Sequence, residues 1–253
     1  MSTVHFVLQG KGGVGKSYAA VLLAQYLRQM LAQYLRQRGL PLSCFDGDPL
    51  NQTLGGFASL DVKKVDFLEN TEKGRRINPR RFDDLVEQIA NQPAGSHIIV
   101  DTGSSAFVAL VHYLVTHEAL TVLSKMGHEV VVHTIVTGGQ ALLDTLHGAA
   151  QLVRQLEGVR FVVWLNPFWG PIAEDGKTFE QMKTYQDIKK RIDSVIALPA
   201  YSDELLPQDI GTMLKKRLTF KEAMESPDFT LMSRHRLGVA QRDIYARLDG
   251  LAV

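Results

Sequence analysis

Residues 10–17 read GKGGVGKS, a glycine-rich run that ends in a lysine and a hydroxyl and follows the apolar stretch VHFVL at 4–8. A strand that enters such a loop and a helix that leaves it are the context in which GxxxxGK[ST] binds phosphate. Glycines let successive backbone N–H groups turn inward around an anion, and the helix start adds the positive end of its dipole. Gly12, Gly13, Val14 and Gly15 then form the cradle, Lys16 reaches the outer phosphates, and the Ser17 hydroxyl is a ligand for Mg²⁺. Tyr18 stands where loops of this kind often carry a second hydroxyl, and alters packing beside the nucleotide. Lys11 is a second cation in the loop, one that a phosphate cradle alone does not require.

The rest of the chain has the pattern that this loop calls for. Strand-like apolar runs at 4–8, 42–45, 97–100, 130–136, 161–165 and 195–198 alternate with helical patterns at 16–37, 80–91, 107–117, 139–156 and 179–191. Shorter helical patterns follow around Leu214 and Phe220, and a longer one covers 232–248. Alternation of this kind predicts an α/β fold, a P-loop NTPase built as a three-layer sandwich on a mainly parallel sheet. No linker rich in Pro, Gly or Ser interrupts it, so one domain over 1–253 is expected.

Composition excludes little and supports an ordinary interior protein. The formal net charge of +1 points to neither nucleic acid nor membrane. Cys44 is the single cysteine, which rules out an internal disulfide and a CxxC metal pair and reads as a small buried apolar side chain. Met1 leads straight into the first strand without a basic leader, and no apolar run approaches the length of a membrane span, so a cytoplasmic protein without membrane attachment is expected. His112, His117, His128, His133 and His147 lack ligand spacing and read as packing or surface residues.

LAQYLRQM at 23–30 is repeated at once as LAQYLRQR at 31–38. Eight helical residues add about 12 Å and turn the face by roughly 80°. The apolar stripe survives, so the segment reads either as a lengthened helix overhanging the sheet or as a docking face for a partner.

KGGVGKS resembles the deviant Walker A loop of the ParA/MinD superfamily of ATPases. That resemblance implies ATP and Mg²⁺ as ligands and an ATP-dependent homodimer in which Lys11 contacts phosphate across the interface. A cation supplied in this way neutralises charge on the transferring phosphoryl group, and makes hydrolysis depend on dimerisation. Asp46-Gly47-Asp48-Pro49 resembles the DxDP switch of the same family. The likeness implies that Asp48 positions or activates the attacking water and that Asp46 lies near the Mg²⁺ water shell, although aspartates before proline are also good turn formers. HIIVD at 97–101 reads as a strand ending in an acid, so Asp101 holds Mg²⁺ through a water or through Ser17. Many family members continue this motif with a proline two residues on, where this chain has Gly103. Asn166, after an apolar strand, matches a position that contacts adenine in the family; a plain turn asparagine is the other reading. No NKxD motif is present, which favours ATP over GTP.

A narrower resemblance runs along most of the chain. VLQGKGGVGKS, GHEVVVHTIVTGGQALLDT, FVVWLNPFWGPI, KTFEQMK and RLTF look like the TraL group of plasmid conjugal transfer and the related StbB-type plasmid stability proteins. This implies a nucleotide-timed switch in plasmid stability, positioning or conjugative transfer, with plasmid stability or conjugation proteins as partners. A nucleotide-holding adaptor with negligible turnover is the alternative. Arg75, Arg76, Arg80 and Arg81 in GRRINPRRF, and Lys215-Lys216-Arg217, are candidates for weak non-specific DNA contact; a solvated helix-entry loop is the plainer reading of the first.

Overall fold

The computed structural model of the chain describes residues 1–34, 41–72, 74–201 and 204–251. Its centre is a seven-stranded sheet made of β1 (Ser2–Val7), β2 (Leu42–Asp46), β3 (Val62–Lys64), β6 (His97–Asp101), β7 (His128–Thr137), β8 (Arg160–Asn166) and β11 (Ser194–Ala197). Two small antiparallel hairpins stand apart from it, β4 (Leu68–Thr71) with β5 (Gly74–Ile77) and β9 (Ala173–Glu174) with β10 (Lys177–Thr178). All pairings in the large sheet are parallel, in the order β11-β8-β7-β1-β6-β2-β3.

Helices cover both faces because the strands are apolar on both. Val4, Phe6 and Leu8 of the first strand and its end point to one side, where they share a core with α2 (Arg80–Ala90), α3 (Ser104–Thr116), α4 (Ala119–Lys125) and α5 (Leu142–Gln155). Val7, Ile99, Val131, Val162 and Trp164 point to the other, against α1 (Lys16–Tyr34), α7 (Leu205–Lys215), α8 (Phe220–Glu225) and α9 (Leu231–Leu248). The short α6 (Lys183–Ile188) packs beside α5. Parallel strands buried on both faces read as continuous apolar runs, which is why six of the seven are visible in the sequence.

Several sequence expectations are corrected in detail. The pattern at 179–191 is not one helix: Met182 is extended, so a 3₁₀ turn over Phe179–Gln181 precedes α6 and another over Lys189–Arg191 ends it. The helix expected at 107–117 starts earlier, at Ser104, and that expected at 139–156 begins with a 3₁₀ turn over Gly139–Ala141. GRRINPRRF is not simply a helix-entry loop. Its first part is β5, in which Arg76 lies directly across from Glu69 and pairs with it at 2.7 Å, while Arg75 pairs with Asp66 at 2.9 Å. The helix expected over 16–37 is described as far as Tyr34; the rest of the second LAQYLRQ copy lies outside the described residues.

The order of strands reverses at β1, with β6 and β2 on one side and β7 and β8 on the other. Ligands of open parallel sheets sit at such a reversal, outside the carboxyl ends of the strands. The glycine loop leaves the sheet at that point.

Candidate functional site

The loop between β1 and α1 closes around its own lysine. Lys16 is buried, and its ammonium donates to the Lys11 carbonyl at 3.0 Å. Burial lowers its pKa, and the nearby Asp101 and Asp48 carboxylates offset part of that. Gly13 and Gly15 have positive φ, 73° and 101°, so the loop needs residues without a side chain there. At Gly15 space adds a second reason: a Cβ would lie 2.6 Å from Nδ2 of Asn166.

Asn166, at the end of β8, braces this loop. Its Nδ2 donates to the Val14 carbonyl at 2.9 Å, and its Oδ1 accepts from the Phe168 amide at 3.2 Å. The Trp169 indole donates to the Gly13 carbonyl at 3.2 Å, so the exposed Phe168–Trp169 tip leans on the loop as well.

Three acids converge at the ends of neighbouring strands. Asp46 and Asp101 are partners across the β2–β6 ladder, and Asp101 is level with Val7 on β1. Asp101 is fully buried, and no hydrogen bond of ordinary geometry reaches either carboxylate oxygen among the described residues, although the Ser17 hydroxyl lies close by. Burial pushes its pKa up to about 7; the neighbouring Ser17 hydroxyl and Lys16 pull it down, and Asp46 and Asp48 push it further up. Asp46 uses both oxygens locally, accepting from the Asp48 amide at 2.9 Å and the Gly55 amide at 2.7 Å. Burial raises its pKa as well. Asp48 caps the turn after it, its Oδ1 accepting from Leu50 and Asn51 amides at 2.9 and 3.1 Å.

A buried carboxylate without donors is costly unless a cation or proton meets it. Asp101 beside Ser17 offers hard oxygen donors in the setting that suits Mg²⁺, which keeps several waters and takes few protein ligands. The residues present therefore fit such an ion: Ser17 and Asp101 would hold it, with Asp46 close by.

Two residues that the motifs do not single out shape the site. Asp144, in the first turn of α5, accepts from the Lys11 ammonium at 2.7 Å. Gly103, after Asp101, lies under Asp48: a Cβ there would sit 2.6 Å from the Asp48 carboxylate. No motif signals Asp144, whereas the departure from proline at 103 was a visible clue.

Tyr18, Asn166, Phe168 and the segment 198–201 enclose a cavity of about 430 Å³ that opens onto the glycine loop. Among the described residues no charged side chain lines it.

Two curated relatives from Escherichia coli, each described as "Protein TraL", are 45% and 44% identical to this chain over 254 aligned positions, covering 100% of both partners. The chain belongs to the TraL family. No family model matches it. Among solved structures, the MinC:MinD cell division protein complex of Aquifex aeolicus aligns with 100% of this chain and 98% of that one, at a TM-score of 0.52 and 14% identity. That likeness is one of fold: this TraL chain has the architecture of the P-loop NTPase fold. No single helix among its described residues is long and apolar enough to cross a membrane. The apolar residues of α3 and α4 that come nearest in composition, such as Leu110, Leu114 and Leu123, are packed in the core.

Proposed function

We propose that the chain is a Mg-dependent ATPase, one domain over 1–253, that acts as a dimerising switch in plasmid stability, positioning or conjugative transfer. The observation that carries the reading is the Asp101 carboxylate, buried and without a donor, beside Ser17 and Lys16 at the mouth of the glycine loop. In this reading Gly12, Gly13, Val14 and Gly15 wrap the phosphates with backbone N–H groups and Lys16 leaves the Lys11 carbonyl for the outer phosphates. Ser17 and Asp101 would hold Mg²⁺, which when bound would supply positive charge against the phosphates. Asp48, tied to the turn below it, orients the attacking water, and Lys11 reaches across to the second subunit's phosphate.

The homodimer is supported by what surrounds the loop. Leu50, Val108, Leu143, Phe168 and Trp169 are all exposed, and all lie on segments that follow the strands framing the site. Exposed apolar side chains on the segments that leave the strand ends beside the acids suit a face that a partner covers. TraL membership supports a conjugation setting, and with it a partner among plasmid stability or conjugation proteins. Weak DNA contact has less support, because Arg75, Arg76, Arg81 and Lys216 each already hold a carboxylate.

Light scattering on the wild type and Lys11→Ala, each with Mg-ATP and Mg-ADP, tests the switch. Doubling of mass only in the wild type with Mg-ATP is the expected result, and an unchanged mass throughout overturns it. One observation favours the second reading, an adaptor that holds nucleotide without turnover: the Asp48 carboxylate is already committed to the Leu50 and Asn51 amides. Phosphate release measured with and without candidate partners separates the two.

A further inference from the structure

The phosphate cradle accounts for the triphosphate but not for what grips the nucleoside. The cavity beside the loop is apolar on most sides, with Phe168, Leu198, Pro199 and Ile210 in its wall, and its volume of about 430 Å³ falls in the range of small-molecule sites. Asn166 uses one N–H for the Val14 carbonyl and one lone pair for the Phe168 amide, and its small amide offers a base no broad flat surface. Tyr18 is different. It sits in the first turn of α1, two residues after Lys16, and lines this cavity together with Gly13 and Gly15 of the loop. Its phenol stays neutral, because burial, reinforced by Tyr201, pushes the pKa up. Tyr201 lines the same cavity.

We propose that Tyr18 is the specificity-determining wall of the nucleoside pocket, selecting purine over pyrimidine nucleotides by contact with the flat base rather than by hydrogen bonds. This rests on the nucleotide reading of the glycine loop. A threonine at this position, the hydroxyl such loops often carry, has no ring to offer a base. Stacking on an aromatic side chain is insensitive to the pattern of donors and acceptors and grows with the area of the base, so a purine gains more than a pyrimidine.

The test is a set of dissociation constants for ATP, CTP and inorganic tripolyphosphate, each with Mg²⁺, on the wild type, Tyr18→Phe and Tyr18→Thr. The wild type is expected to prefer ATP over CTP by about tenfold, a margin within what one stacked base contributes. Tyr18→Phe keeps that ratio. Tyr18→Thr brings it close to one while leaving tripolyphosphate binding unchanged, which also shows that the loop is folded. Equal binding of ATP and CTP by the wild type overturns the proposal. So does a ratio that survives Tyr18→Thr, or an equal loss of ATP and tripolyphosphate in that variant. A wild type that binds neither ATP nor tripolyphosphate overturns the nucleotide reading itself, and the proposal falls with it.

Discussion

The Lys11 ammonium lies 2.7 Å from the Asp144 carboxylate, which ties the glycine loop to the first turn of α5 within one subunit. In the proposed switch the same lysine serves the other subunit, so the ion pair must open when two subunits meet. It is a light restraint: the two side chains are 47% and 59% exposed, and exposed pairs contribute little. Asp144→Asn is therefore expected to promote ATP-dependent dimerisation modestly, by about two- to fivefold in the dissociation constant. Lys11→Ala should retain nucleotide and lose hydrolysis. Sedimentation at a series of concentrations reads the first effect and phosphate release the second. An unchanged dimer constant in Asp144→Asn would mean that the pair does not restrain Lys11.

Gly103 stands where the family resemblance leads one to expect a proline, and its backbone does not forbid one, with φ at −66°. What forbids it is Asp48, whose carboxyl carbon lies 2.6 Å from where a Cβ would be. Gly103→Ala is expected to push Asp48 off the turn that it caps. Hydrolysis should fall at least about tenfold, the usual scale for displacing a group that orients a water, while nucleotide affinity changes little. Equal rates in the variant and the wild type would show that Asp48 plays no part in turnover.

Asn166→Ala separates a brace from a base contact. If the side chain mainly holds Val14 and the turn at Phe168, its loss loosens the cradle, and affinity for ATP and for tripolyphosphate should fall together, each by about tenfold. A loss confined to ATP would mean that the residue reads the base.

Much of this arrangement was legible before the structure, and the parts that were not share a cause. The loop, Asp48, Asp101 and Asn166 each follow an apolar run that is buried on both faces, so the local sequence marks both the strand and its end. The edge strand Val62–Lys64 and the hairpin strand Gly74–Ile77 are polar and partly exposed, so no apolar run announces them. Asp144 meeting Lys11 and Gly103 meeting Asp48 arise from how separate elements approach, and no short motif encodes that. The three histidines His5, His97 and His133 are the sharpest case. They are scattered in sequence, but β6, β1 and β7 bring them into one row.

Asp101 illustrates stability given up at a site. Its buried, unpartnered carboxylate, with a pKa raised to about 7, opposes folding once it ionises. Asp101→Asn should make the nucleotide-free protein more stable at pH 8, by about 1–3 kcal/mol, and remove the further stabilisation that Mg-ATP gives the wild type. Urea unfolding with and without Mg-ATP measures both. A variant less stable than the wild type without nucleotide would show that Asp101 has a partner in solution.

The histidine row makes the fold sensitive to acid. The Trp164 indole can only donate, and it does so to Nδ1 of His133 at 2.9 Å. His133 then carries its proton on Nε2 and donates to Nδ1 of His5 at 3.0 Å, and His5 donates in turn to Nδ1 of His97 at 3.3 Å. Every ring in the row must be neutral for this chain of bonds to hold. Burial depresses all three pKa values, that of His133 to about 3, and Arg160, itself paired with Glu129 and Asp193, lowers those of His5 and His133 further. Below the ordinary value of 6.5 the unfolded chain takes up protons that the folded chain refuses, so stability falls as pH drops through that point. Each histidine contributes a slope approaching about 1.4 kcal/mol per pH unit. Urea unfolding at pH 7.5, 6.5 and 5.5 (about one unit apart), carried out on Asp101→Asn so that the raised carboxyl pKa of Asp101 does not offset one histidine over the same range, should show stability nearly level above 6.5 and falling steeply below it. His97→Gln, at the half-buried end of the row, should flatten that fall by about one histidine's share. A curve with the same slope with and without His97→Gln would remove His97 from the acid response, and a flat curve in Asp101→Asn alone would remove the whole row.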